Sequence, residues 1–302
     1  MNLRRWLTAV LVGVAVLMLR SSSGDESTSA ADALKRGDSL RDKGDVDGAI
    51  AAYTEAIRLE PKNIEAIYGR GCAYWQKCYL DKALADYSEA IRLRPRMAEA
   101  YCGRAIVYGE KGDFDKAIAD STEAIRLNPK LPHGYYNRGN AYMEKGDFDK
   151  AIADCSESIR LEPHHAETYG VRGVAYEKKG ELDKAIADFT ESARLDPHNA
   201  DTYRGRAWAY GKKGEFEKAI ADYAKTIRLD PKNAAAYCGR GWAYAETGEL
   251  NKAIADYTKA IGLNPKDAET YQYRAIAYEK QGDKSKAEKD FTQAKKLGYK
   301  RK

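Results

Sequence analysis

From residue 30 onward the apolar positions recur at helical spacing, and each run is interrupted first by a glycine and later by a proline. Residues 135–161 show the pattern. Tyr135, Gly139 and Tyr142 share one face of a first segment, Gly146-Asp147 interrupts it, and Ala151, Ile152, Ile159 and Leu161 mark the face of a second. This predicts two helices joined by a tight turn. The turn glycine takes the left-handed conformation that closes a helix, and it recurs as Gly44, Gly112, Gly146, Gly180, Gly214, Gly248 and Gly282. Cys78 takes its place once, where a side chain is expected to strain the turn by about 1 kcal/mol.

The prolines set the period. Pro61, Pro95, Pro129, Pro163, Pro197, Pro231 and Pro265 are each 34 residues apart, with no insertion or deletion. Such a period means a stacked array. Eight repeats follow, at residues 30–63, 64–97, 98–131, 132–165, 166–199, 200–233, 234–267 and 268–301. One slot stays small throughout, as Ala49, Ala83, Ala117, Ala151, Ala185, Ala219, Ala253 and Ala287, so two helices can cross closely there. This combination of an aromatic, Gly/Ala and Tyr, then Ala and a second aromatic, then Pro resembles the tetratricopeptide repeat (TPR), over about nine-tenths of the chain. The resemblance implies an all-α fold: a right-handed superhelical α-solenoid of eight antiparallel helix-pair repeats, lined inside by the first helices. It also implies that the activity is binding of a protein or peptide.

One slot departs from the family. Where Leu is usual, every repeat carries arginine: Arg36, Arg70, Arg104, Arg138, Arg172, Arg206, Arg240 and Arg274. Sixteen residues later stands Asp86, Asp120, Asp154, Asp188, Asp222, Asp256 or Asp290, with Ala52 as the exception. Cations in or near a helical stack need counter-charges, because an unpaired buried charge costs several kcal/mol. The aspartates are the expected partners in a structural ladder, within a repeat or between neighbours. In the last repeat Glu288, Lys289 and Lys295 replace apolar residues, which reads as a polar cap; Asp38, Ser39, Arg41 and Asp42 read the same way at the start, as expected of a complete array.

Residues 1–29 follow a different plan. Arg4 and Arg5 precede a fourteen-residue apolar run, residues 6–19, whose only polar side chain is a threonine, and a polar stretch follows. That order is a secretory signal peptide, and the run is shorter than the roughly 20 residues that span a bilayer. An uncleaved signal anchor is the alternative. Either way the array is expected to be exported, periplasmic or extracellular, or held to a membrane through this segment alone.

Composition narrows the function classes. With 32% charged residues and a net charge of +5, both signs are interleaved, so no basic stripe follows a phosphate backbone and nucleic acid is not an expected partner. The basic run Lys295–Lys302 is read as a solvated tail. The five cysteines form no CxxC pair and do not suggest a disulfide framework or a metal site. Cys155 is expected to be a buried filler, whereas Cys72, Cys102 and Cys238, on first helices, are candidate exposed thiols. His133, His164, His165 and His198 lie near repeat junctions, and no nucleophile elbow, HExxH or phosphate-loop motif is present. No enzyme and no cofactor are expected.

Function is therefore sought where the repeats differ. By the resemblance, the second, fifth, sixth, ninth, twelfth and thirteenth residues of each repeat face the groove. Those slots hold Tyr68, Trp75, Tyr136, Asn140, Met143, Arg204, Trp208 and Trp242, and Trp, Tyr, Arg and Met are the types that dominate binding hot spots. The alternative for them is filling gaps between first helices. The carboxylate clamp by which some TPR proteins hold a chaperone tail is absent, since its slots carry Tyr136, Asn140, Val171, Asp201 and Gly205. The expected function is a non-enzymatic scaffold or adaptor. The alternatives are a self-associating structural repeat protein, and a glycan-binding protein or enzyme using Trp208 and Trp242.

Overall fold

A computed structural model describes residues 29–299. All of the leader but its last residue, and with it the expected export function, lies outside them, as do the last three residues. Sixteen α-helices account for the described chain. They form two compact bodies, divided after Leu161.

The N-terminal body holds four helix pairs: α1 (Ala30–Asp42) and α2 (Val46–Leu59), α3 (Ile64–Gln76) and α4 (Leu80–Leu93), α5 (Ala98–Glu110) and α6 (Phe114–Leu127), α7 (Pro132–Glu144) and α8 (Phe148–Leu161). The C-terminal body holds α9 (Ala166–Lys178) and α10 (Leu182–Leu195), α11 (Ala200–Lys212) and α12 (Phe216–Leu229), α13 (Ala234–Glu246) and α14 (Leu250–Leu263), α15 (Ala268–Gln281) and α16 (Lys284–Lys296). Within each body every helix packs on the next, and each first helix also touches the first helix of the following repeat. The helix-pair repeats expected from the sequence are all present.

The local chemistry explains the boundaries. Glu60, Arg94, Asn128, Asp196, Asp230 and Asn264 each precede a proline and have extended backbones, for example φ −134° and ψ 91° at Glu60. The proline ring disfavours the helical region for the residue before it, so each second helix stops there. Asn63 and Asn233 then cap the next first helix through their side chains. At the inner turn, Gly44 has φ 80° and its neighbour Asp45 donates its N–H back to Leu40 O at 2.9 Å. Cys78 makes the same turn at φ 60°, the one positive-φ non-glycine among the described residues. The strain expected from the sequence is therefore carried by Cys78.

The aromatic in the second helix organises the packing between repeats. Tyr53, Tyr87, Phe189, Tyr223 and Tyr257 are buried to within a few per cent. Tyr53, Tyr87, Phe189 and Tyr223 each face a glycine of the next repeat, whereas Tyr257 meets Tyr273 there, with ring centres 6.0 Å apart. A Cβ on Gly103 would lie 2.7 Å from the Tyr87 ring, on Gly205 2.7 Å from Phe189, and on Gly239 2.4 Å from Tyr223. Where the slot shrinks to Ser121, the facing position in the next repeat grows to Asn137, whose Nδ2 donates to Cys102 O at 3.2 Å. Cys155 has no exposed surface, as expected of a filler. Cys72 and Cys102 correct the reading of exposed thiols: both are buried between first helices, and burial pushes both thiols above their ordinary pKa. Cys238 is half-buried, and Cys78 is the exposed cysteine.

Candidate functional site: the face of the first helices

The arginine ladder pairs within each repeat. Arg104 donates from Nε and Nη2 to Asp120 at 2.7 and 2.9 Å, and Arg138 does the same to Asp154 at 2.7 and 2.8 Å. Arg172 pairs with Asp188 and Arg206 with Asp222 in the same forked geometry. Bidentate contacts of this kind are strong and directional. The remaining Nη1 reaches back to the preceding repeat: Arg104 to Ser88 at 3.2 Å, Arg138 to Thr122 at 3.2 Å, Arg206 to Thr190 at 3.1 Å. Each of these three guanidiniums therefore pins two helices of its own repeat and one of its neighbour. Arg36, which faces Ala52 instead of an aspartate, is exposed. Arg240 keeps Asp256, but Ala224 holds the position of the threonine. From Arg70 to Arg274 the charges of the ladder are therefore paired within the protein.

The candidate groove residues divide into two groups. Tyr68, Trp75 and Tyr136 are buried, with Trp75 only 1% exposed. Trp75 packs among the buried side chains of its repeat and the next, and its Nε1–H donates to Glu110 Oε1 at 2.9 Å. All three are packed between helices, and Tyr136 also lines the cleft between α5, α6 and α7. Asn140, Met143, Arg204, Trp208 and Trp242 keep part of their surface. Arg204 pairs with Asp201 at 3.0 Å, and Lys212 Nζ sits 5.2 Å from the Trp208 ring centre. The Trp242 indole packs on Gly211 and meets Phe216 edge-on, with ring centres 5.6 Å apart.

Between α5, α6 and α7 the surface opens into a cleft of about 240 Å³. Its floor is apolar, made by Ala105, Ala117, Ala141 and the Phe114 ring; Asn140 lines it, and Glu110 and Glu144 stand at its rim. Gly109, Glu110 and Glu144 were not singled out in the sequence. The signal that could have found them is the pairing of small Gly109 with Asn140, in slots that Gly211 and Trp242 occupy in the C-terminal body.

Glu177, another groove position, is buried enough that desolvation pushes its carboxyl above the ordinary value; Lys178 and Arg204 offset only part of this. A raised folded-state pKa contributes stability below the ordinary carboxylate range, and that contribution is lost as pH rises through the folded value. Glu177→Gln is accordingly expected to be more stable than the wild type at pH 7. The difference should close near pH 4, as measured by urea unfolding at both values.

Among the described residues no cluster of His, Cys, Asp and Glu could hold a metal ion, and no helix is long and apolar enough to cross a membrane.

The repeats and their geometry define a class of helical repeat scaffold, and comparison with known proteins identifies the family. Family models described as TPR repeat match residues 37–77, 80–112 and 107–146, and models described as tetratricopeptide repeat match 133–165, 166–199, 204–268 and 256–289. The chain belongs to the tetratricopeptide repeat family. No curated protein sequence matches it significantly. A solved tetratricopeptide repeat protein from Parabacteroides merdae ATCC 43184 is 22% identical with a TM-score of 0.59, over 83% of this chain and 99% of its own. A crystal structure of MamA protein is 31% identical with a TM-score of 0.52, over 55% of this chain and 91% of its own. The APC/C hetero-tetramer Cut9–Hcn1 gives a TM-score of 0.64 at 16% identity, over 90% of this chain and 54% of that one.

Proposed function

We propose that this protein is a non-enzymatic scaffold that binds another polypeptide on the face of its first helices, and that its leader exports it. The observation that carries the reading is the division of labour among slots. The recurrent residues, from the buried alanines to the Arg–Asp forks, are consumed by packing and pairing. The partly exposed side chains that vary from repeat to repeat, Asn140, Met143, Arg204 and Trp208, stand on first helices. Aromatic, Met and Arg side chains of this kind favour interfaces. TPR folds in general serve protein interaction, and Cut9–Hcn1 is solved as a hetero-tetramer.

The test is capture from an extract of the source cell by the wild-type chain, by Arg204→Glu with Trp208→Ala, and by Lys259→Glu on the exposed surface of a second helix. A partner held by the wild type and by Lys259→Glu, and at least tenfold weaker on the double variant by calorimetry of the purified pair, is the expected result. Equal binding by all three overturns the assignment to the first helices.

A further inference from the structure

The two bodies carry the same junction in two states. In the C-terminal body, Gly211 ends a first helix, Phe216 starts the second, and the indole of Trp242 from the next repeat lies on the glycine with its edge against the phenylalanine. A Cβ on Gly211 would come 2.4 Å from that ring. In the N-terminal body Gly109 and Phe114 occupy the same slots, but the residue in the slot of Trp242 is Asn140. A Cβ on Gly109 would meet nothing within 4 Å, and the cleft of about 240 Å³ opens there. At the preceding junction Trp75 fills the gap from the other side, with Ile106 packed against its cluster. The α5–α7 junction has neither tryptophan.

We infer that this cleft receives an aromatic side chain, tryptophan or tyrosine, from a partner polypeptide, with basic residues beside it in the partner's sequence. The inference rests on the reading of the first helices as the binding face and names the chemistry recognised there. The shape comes from the molecule itself: Gly211 and Phe216 show that this pair of slots accepts an indole. The volume is below the roughly 300–1,000 Å³ of small-molecule clefts, a size suited to one side chain. Asn140 offers an amide to the polar edge of the ring. The charge comes from the rim. Glu110 is held in place by the Trp75 N–H at 2.9 Å, and Glu144 stands one repeat further on; both carboxylates are exposed. A partner bringing Lys or Arg next to its aromatic anchor meets both, whereas an acidic partner is repelled. An aromatic anchor in a desolvated pocket surrounded by polar contacts is the usual form of a hot spot.

The test uses the full chain and three blocked peptides: Gly-Lys-Trp-Lys-Gly, the same with Ala for Trp, and the same with Glu for both Lys. Calorimetry is expected to show the first binding at least tenfold more tightly than either of the others, and more weakly at high salt because the rim is exposed. Asn140→Trp fills the cleft from within, as Trp242 does in its own repeat, and should abolish binding while leaving circular dichroism and the thermal midpoint intact. Gly109→Leu is the second filling variant, placed where a side chain meets open space. Binding of the first peptide unchanged in both, or equal binding of all three peptides, overturns the proposal. Failure here is separable from failure of the broader reading. A natural partner lost from Arg204→Glu with Trp208→Ala but kept by Asn140→Trp leaves the first-helix face standing and removes the cleft from it.

Discussion

Tyr223→Ser lowers the free energy of unfolding by about 3–5 kcal/mol, and placing asparagine at Gly239 recovers part of that loss. Tyr223 is buried to 3% exposure, and its ring tip lies where a Cβ on Gly239 would stand, at 2.4 Å. Truncating the ring leaves a void in the junction between two repeats, and close-packed interiors relax only partly into such a void. Gly239→Asn alone overpacks the same site against the intact ring, at a cost of about 1–3 kcal/mol. Combined, the two substitutions reproduce Ser121 and Asn137, a pair the chain already uses in its N-terminal body. Urea unfolding of the two single variants and the double should therefore be non-additive, with a favourable coupling of about 1–3 kcal/mol. Strict additivity would mean that the exchange of large and small residues across the junction carries no energy.

The second large effect is expected at the arginine ladder. Asp154→Ala should destabilise the protein by about 2–3 kcal/mol, the cost of removing one partner from a charged hydrogen-bonded pair. The lower part of the range for broken buried pairs applies because the Arg138 side chain keeps 21% of its surface in solvent. Stripped of its carboxylate, the guanidinium keeps the Thr122 hydroxyl at 3.2 Å but loses its counter-charge. Replacing both members, Arg138→Met with Asp154→Leu, should restore most of the stability, because well-packed apolar residues can substitute for a buried ion pair. Thermal and urea unfolding of the three variants checks this. Equal losses in Asp154→Ala and the double variant would show that the fork itself, and not the orphaned charge, carries the energy. The orphan at the first repeat fits the argument: where Ala52 replaces aspartate, Arg36 turns to solvent.

The array was legible because its determinants are local. A proline every 34 residues forces the preceding residue out of the helix, and a glycine at each inner turn supplies the positive φ, so helices, turns and the strain at Cys78 follow without reference to any neighbour. The Arg–Asp spacing of sixteen residues likewise named the charge pairs, because opposite charges entering a helical stack need each other.

What a side chain offers to a partner depends instead on how much room the neighbouring repeat leaves. Trp75 and Trp242 carry the same indole, yet one is sealed beneath its neighbours and hydrogen-bonded to Glu110, whereas the other lies partly exposed over Gly211. Tyr68 and Tyr136 look like exposed anchors in sequence and are buried in the fold, Tyr136 along the wall of the cleft. The cleft at Gly109 is the converse case, because two small residues from different repeats create together a space that neither suggests alone. The sequence by itself determined the period, the helices, the turns and the family. Only the tertiary structure decided which groove residues are surface and which are filling, because that outcome is a balance of volumes across junctions between residues about thirty positions apart.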